Sequence, residues 1–171
     1  MTNALSSCDH LHDVQHLNNS DISARLTAAI EQCRHRGVRF TPLRQQIYKL
    51  VLQAKRPVGA YDLITQLQQT RLLAKDQKQS KNVAPPTVYR SLEFLLEQGL
   101  IHQLTSINAY VPCCHPRAQH AAAFLICEYC QRVQECSSLP VQEMMGFAEQ
   151  DAGFLVNHSV IELSGRCQAC Q

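Results

Sequence analysis

The sequence predicts an α+β protein: an N-terminal winged helix-turn-helix domain followed by a small α/β domain. Three observations carry this reading. Four stretches space their apolar residues as helices do, and two short β segments follow them. The composition then shifts at residues 112–120, "PCCHPRAQH". Seven of the nine cysteines lie at or beyond Cys113.

Residues 1–20 are polar and without periodicity, which predicts a flexible extension. They include "CDHLHDVQH", a His/Cys tract that suits loose metal binding or is simply solvated. From Asp21 a helix is expected, with Ile22, Leu26, Ala29, Ile30 and Cys33 on one face and Gly37 ending it. "FTPLRQQIYKLVLQA" predicts the next helix. Thr41 caps it, Pro42 fits its first turn, and Leu43, Ile47, Leu50 and Val51 turn inward. A third helix is expected from Ala60 to about Gln69, burying Leu63, Ile64 and Leu67. The polar run "KDQKQSKN" follows as an exposed loop. "PPTVYRSLEFLLEQG" begins after two prolines and stops at Gly99. Val88, Leu92, Leu95 and Leu96 form its apolar stripe, leaving Tyr89, Arg90 and Glu93 outside. "LIHQL" and "AYVP", joined by "TSIN", read as a hairpin. In a winged helix this fourth helix would enter the major groove.

A winged-helix DNA-binding domain, or else a generic small helical domain with Tyr89 and Arg90 merely on its surface, is therefore expected at 21–112, with a hinge at 113–120 and the α/β domain at 121–171. The latter should hold strands at "AAFLI" and "RVQEC", a helix near 139–151 and a strand at "FLVNHSVIEL". So short a segment makes a poor core alone and should need a metal, a partner subunit or both.

The overall charge of +2 hides an asymmetry. Residues 1–112 carry 13 Lys/Arg against 8 Asp/Glu, and residues 113–171 carry 3 against 6. A basic front half suits a polyanion. No apolar run is long enough to span a membrane. The N-terminus lacks the basic start and apolar core of a signal peptide, so a cytoplasmic location is expected. There disulfides are disfavoured, which turns nine cysteines toward metal or thiol chemistry.

"CEYC" and "CQAC" place Cys127, Cys130, Cys167 and Cys170 as two CxxC pairs separated by 36 residues. Four soft thiolates with no open position suit closed, tetrahedral structural zinc. A redox pair would instead sit at a helix N-terminus in a thioredoxin-like unit, which the pattern lacks. His102, Cys113, Cys114, His115, His120, Glu135 and His158 remain as donors for a second site spanning the hinge. An enzyme reading fares worse. A zinc deaminase needs HxE with PCxxC, and the chain has "PCC" and no HxE.

"PPTVYRSLEFLLEQGLIH", the connector ending in His120, "FLICEYCQRVQE" and "HSVIELSGRCQAC" together resemble the ferric uptake regulator family, in its zinc uptake regulator branch. "RFTPLRQQIYKLV" and "GAYDLITQL" match too, so the likeness covers roughly residues 22–171. The resemblance implies a homodimeric, zinc-dependent repressor with two zinc ions per subunit, one structural and one regulatory. Its partner would be double-stranded operator DNA, with no membrane and no small-molecule substrate involved. The α/β domain would be the dimerisation domain.

By position, the four CxxC cysteines match the structural ligands, and His102, Cys113, His120 and Glu135 match the sensory ones. Counting forward from "NAYV" selects Cys113, whereas counting back from His120 selects Cys114; Cys113 is the reading adopted. His158 matches a further family ligand or is an ordinary strand histidine. Tyr61, Thr87, Tyr89 and Arg90 match DNA-contacting positions, with Arg39 and Arg44 suited to phosphate. The alternatives are an iron or peroxide sensor on the same fold, or a zinc-binding interaction module that does not bind DNA. Two features depart from the family pattern: a longer loop at 71–82 and the N-terminal extension.

Overall fold

The computed structural model describes residues 11–13, 17–73, 83–114, 116, 123–136, 143–144, 146–155 and 159–171. They divide into two units, residues 15–119 and residues 120–171, the latter joined by the N-terminal segment to residue 14.

In the first unit, helix α1 (Asn19–His35) begins earlier than the apolar pattern suggests. Asn18 accepts from the Asp21 amide while the Asp21 side chain returns the bond, a capping box that satisfies two orphan donors. Gly37 follows the helix at φ +68°, a left-handed conformation that glycine tolerates at little cost. Ile22, Ala29 and Cys33 are buried and Leu26 packs beside them, but Ile30 is 39% exposed. It shares helical spacing with the stripe yet falls at its margin.

Helix α2 (Pro42–Gln53) starts as expected, with Thr41 accepting from the Arg44 amide and Pro42 in the first turn. Tyr48 and Leu52 join Ile47 and Val51 in the core, while Leu43 and Leu50 are only partly buried. Helix α3 (Ala60–Leu73) runs a turn further than the sequence suggests and buries Leu63, Ile64 and Leu67. The expected loop at "KDQKQSKN" lies outside the described residues. Helix α4 (Pro85–Glu97) buries Val88, Ser91, Leu92, Phe94 and Leu95 and leaves Thr87, Tyr89, Arg90 and Glu93 exposed.

Two strands complete this unit. In the numbering of the whole chain they are β2 (Ile101–Leu104) and β3 (Ala109–Pro112), paired antiparallel with His102 opposite Val111. Val58 adds a bridge to Tyr110 through bonds of 3.1 and 2.9 Å, tying the α2–α3 connection to the wing. Among the described residues, twenty buried ones from these elements and their connections form one core.

The second unit is a four-stranded sheet of order β1-β5-β4-β6. Strands β4 (Ala123–Cys127) and β5 (Val133–Cys136) form a hairpin, and β6 (Ile161–Gly165) runs parallel to β4. The expected strand at "FLVNHSVIEL" thus starts seven residues later, at Ile161. The cause is its partner: β4 has five residues, and each pairs with one of β6. Residues 143–144 and 146–151 are helical, the last turn closing with an i→i+5 bond from the Ala152 amide to the Phe147 carbonyl.

Strand β1 (Leu11–Asp13) falls inside the stretch expected as a flexible extension. It adds to the free edge of β5, with His12 in register with Glu135. An unpaired strand edge is a template for added chain, and three residues suffice to use it here. Among the described residues no helix is long and apolar enough to cross a membrane.

Candidate metal centres and nucleic-acid surface

The parallel pairing of β4 and β6 explains how two cysteine pairs distant in sequence meet. It sets Cys127 opposite Gly165, so both strands end at the same edge of the sheet. After Cys127 the chain turns tightly, with the Gln131 amide on the Cys127 carbonyl at 2.8 Å and the Cys127 amide on the Arg132 carbonyl at 2.9 Å. After Gly165 a short 3₁₀ turn (Gln168–Cys170) closes with the Cys170 amide on the Cys167 carbonyl at 2.8 Å. The Glu128 amide bonds the Gly165 carbonyl at 2.9 Å and locks the two turns together.

The four sulfurs consequently lie within 4.8 Å of one another. Cys130 and Cys167 are 3.7 Å apart at Sγ. That is far beyond a disulfide bond of about 2.05 Å. It equals, within a tenth of an ångström, the edge of about 3.8 Å that a tetrahedron with Zn–S bonds of about 2.3 Å requires. Backbone amides of Cys130, Cys167 and Tyr129 donate to the Cys127 sulfur, that of Cys167 at 3.4 Å, and pull its pKa down to about 6. Cys170 is pushed up to about 12, first by its hydrogen bond with Cys167, then by burial, and then by its other sulfur neighbours. One thiolate forms readily while a full set repels itself, so the quartet suits a divalent soft cation. Donor type, number and spacing all fit zinc, with no position left open for a substrate.

The remaining metal candidates are distributed over both units. In the first unit, His102 stands on β2 and Cys113 directly follows β3. A ring nitrogen of His102 and the Cys113 sulfur lie within 4.8 Å of each other. Cys113 is buried, its amide bonding the Leu100 carbonyl at 3.1 Å and its carbonyl accepting from Arg25 Nη1 at 3.0 Å. Cys114 is half-buried. In the second unit, Glu135 on β5 is opposite Phe124 of β4. It is the one fully buried carboxylate or cationic side chain among the described residues. His120 and His158 lie outside the described residues. A thiol, an imidazole and a carboxylate make a borderline-soft donor set of the kind zinc takes.

On the first unit, Tyr61 is 74% exposed at the start of α3, and Tyr89 is 42% exposed on α4 beside exposed Thr87 and Arg90. An exposed tyrosine and guanidinium side by side on α4, and a further exposed tyrosine on α3, are side chains of the kind that contact base edges and phosphates. Arg44 is otherwise engaged. Its guanidinium sits 3.7 Å above the Phe94 ring and donates to the Arg39 carbonyl, bracing α2 against α4. Arg39 is exposed.

Sequence reasoning missed β1, whose three residues carry no alternation, and Arg25, whose partner is 88 residues away.

Comparison with known proteins adds four findings. The ferric uptake regulator family model matches residues 35–164. The chain is 38% identical over 146 residues to the zinc uptake regulation protein of Escherichia coli, covering 85% of this chain and 80% of that one. It is 28% identical over 145 residues to the peroxide operon regulator of Bacillus subtilis, covering 85% and 92%. Among solved structures, a zinc uptake regulator complexed with zinc and DNA superposes with a TM-score of 0.75 at 37% identity, covering 87% of this chain and 94% of that one.

Proposed function

The chain belongs to the ferric uptake regulator family, and from that premise we propose that it is a zinc-responsive transcriptional repressor. As a zinc-loaded homodimer in the cytoplasm it would bind operator DNA and control genes for zinc uptake. The observation that carries the zinc reading is Cys113. A buried thiol within 4.8 Å of the His102 ring is a soft donor, which supports zinc at the proposed regulatory site. Iron(II) and manganese(II) sensors favour nitrogen and oxygen donors. Greater identity to the E. coli zinc regulator than to the B. subtilis peroxide regulator supports the same choice.

In this reading each subunit takes two zinc ions. Cys127, Cys130, Cys167 and Cys170 hold the structural one, and His102, Cys113, His120 and Glu135 hold the regulatory one. Bound zinc supplies a divalent charge that neutralises its thiolate and carboxylate donors and cross-links them. In sequence, His102 precedes the hinge expected at 113–120, Cys113 and His120 bound it and Glu135 follows it, so a metal on all four would bridge the hinge. The arrangement of the two units would therefore depend on occupancy. A 100-fold gain in operator affinity needs about 2.7 kcal/mol of coupling, small beside a metal site's binding energy. Residues 21–112 would read DNA through Tyr61, Thr87, Tyr89 and Arg90. Residues 121–171 would dimerise; Phe147, Phe154, Leu155 and Leu163 there are each more than half exposed, as an uncovered partner face requires.

The test is selection of bound duplexes from a random library at buffered free zinc, iron(II) and manganese(II). Zinc should enrich a palindrome at the lowest free concentration. Enrichment by iron or manganese alone would make the chain an iron or peroxide sensor. No enrichment under any metal would leave a zinc-binding interaction module.

A further inference from the structure

Cys113 sits just past the end of β3, where the strand ladder no longer holds its carbonyl. That carbonyl is taken by Arg25 of α1, at 3.0 Å in a partly buried setting. With the amide bonded to Leu100, both polar groups of the Cys113 backbone are fixed, one by the wing and one by a single side chain from the first helix. We propose that Arg25 is a positioning residue for the regulatory site: its bond to the Cys113 carbonyl holds the Cys113 sulfur at ligand distance from His102 before metal arrives.

The physical reason is that a metal site loses affinity when a donor must be ordered on binding. Groups that orient ligands without touching the metal are worth about 10- to 100-fold in metal affinity. A guanidinium suits the task, because a charge-assisted bond to a carbonyl is stronger than a neutral one. On α1, Gln32 and Arg36 bond the Gln98 carbonyl and Ile22, Ala29 and Cys33 are core, whereas Arg25 bonds the Cys113 carbonyl.

This inference rests on His102 and Cys113 being regulatory ligands, and the experiment separates the two. Zinc affinity of the full-length chain is measured by chelator competition for wild type, Arg25→Leu, Arg25→Lys and Cys113→Ser, with thermal melts and operator binding alongside. Arg25→Leu should weaken the regulatory zinc about 10- to 100-fold. It should keep the structural zinc, and at saturating zinc it should bind operator as wild type does. Arg25→Lys, which retains a charged donor, should recover part of the loss. If Cys113→Ser weakens zinc and Arg25→Leu does not, the inference falls while the site stands. If neither weakens it, the ligand assignment falls and takes the inference with it. If Arg25→Leu also lowers the melting temperature and operator affinity at saturating zinc, its role is general packing and the inference is wrong.

Discussion

Replacing Cys130 by serine removes one corner of the Cys₄ site. Its sulfur lies 3.7 Å from that of Cys167, on a turn fixed by backbone bonds, so no neighbouring donor can move in without breaking the knuckle. Serine offers a hard, largely protonated oxygen, and three thiolates alone bind zinc far more weakly. Structural zinc contributes about 10–16 kcal/mol of apparent folding energy at such sites. A whole domain is stable by only about 5–15 kcal/mol. The second unit has little else to rely on. Its buried hydrophobic residues among those described are Ala123, Phe124, Ile126, Cys127 and Val133, whereas the first unit has a core of twenty. Cys130→Ser should therefore unfold the sheet of the second unit and leave the winged helix folded. Hydrogen exchange reads this directly: β4, β5 and β6 should lose protection while α2 and α4 keep it, and zinc content should fall by at least one per subunit. A variant with a protected sheet and unchanged zinc would refute the structural role of the site.

The Tyr48 hydroxyl is buried with no hydrogen-bond partner among the described residues. Tyr48→Phe should raise stability by about 1 kcal/mol in denaturant titration, since an unpaired buried hydroxyl costs about 1–3 kcal/mol; a loss of that size would mean the hydroxyl is paired. Burial raises the Tyr48 pKa above its ordinary value of 10, so the folded state holds this proton longer than the unfolded one. Its contribution is complete below about pH 10. It is lost as pH rises beyond that, and the alkaline fall should be shallower in the phenylalanine variant. Arg90→Ala should reduce discrimination between operator and mutated operator by about 1–3 kcal/mol while changing non-specific binding little. A uniform loss across sequences would instead make Arg90 a phosphate contact. Leu163→Asp, on the exposed side of β6, should shift the protein toward monomer in sedimentation. An unchanged dimer would move the interface elsewhere.

Much of the fold was legible because its signals are local. Thr41 and Pro42 fix the start of α2, and Gly37 and Gly99 take the positive φ that ends helices. The hairpin of β2 and β3 follows from two short apolar runs and their turn. That the two CxxC pairs form one candidate metal quartet was legible from spacing and donor type, although the parallel pairing that unites them was not. That pairing is set across the sheet, between residues nearly forty positions apart. Strand β1 was invisible for a related reason: three residues gain their structure from the edge of β5 rather than from their own propensity. Ile30 shows the limit of helical spacing, which assigns a face but not where the face ends. Arg25 carries no signal in the sequence, because its partner, the Cys113 carbonyl, is 88 residues away.

The most direct test of the account is operator binding by wild type and His102→Ala across buffered free zinc, with the structural zinc retained throughout. Wild type should bind about 100-fold more tightly once the second zinc ion is taken up. His102→Ala, still a folded dimer with one zinc ion per subunit, should stay at the low-zinc affinity. Equal binding by the two proteins at every zinc concentration would contradict the regulatory assignment.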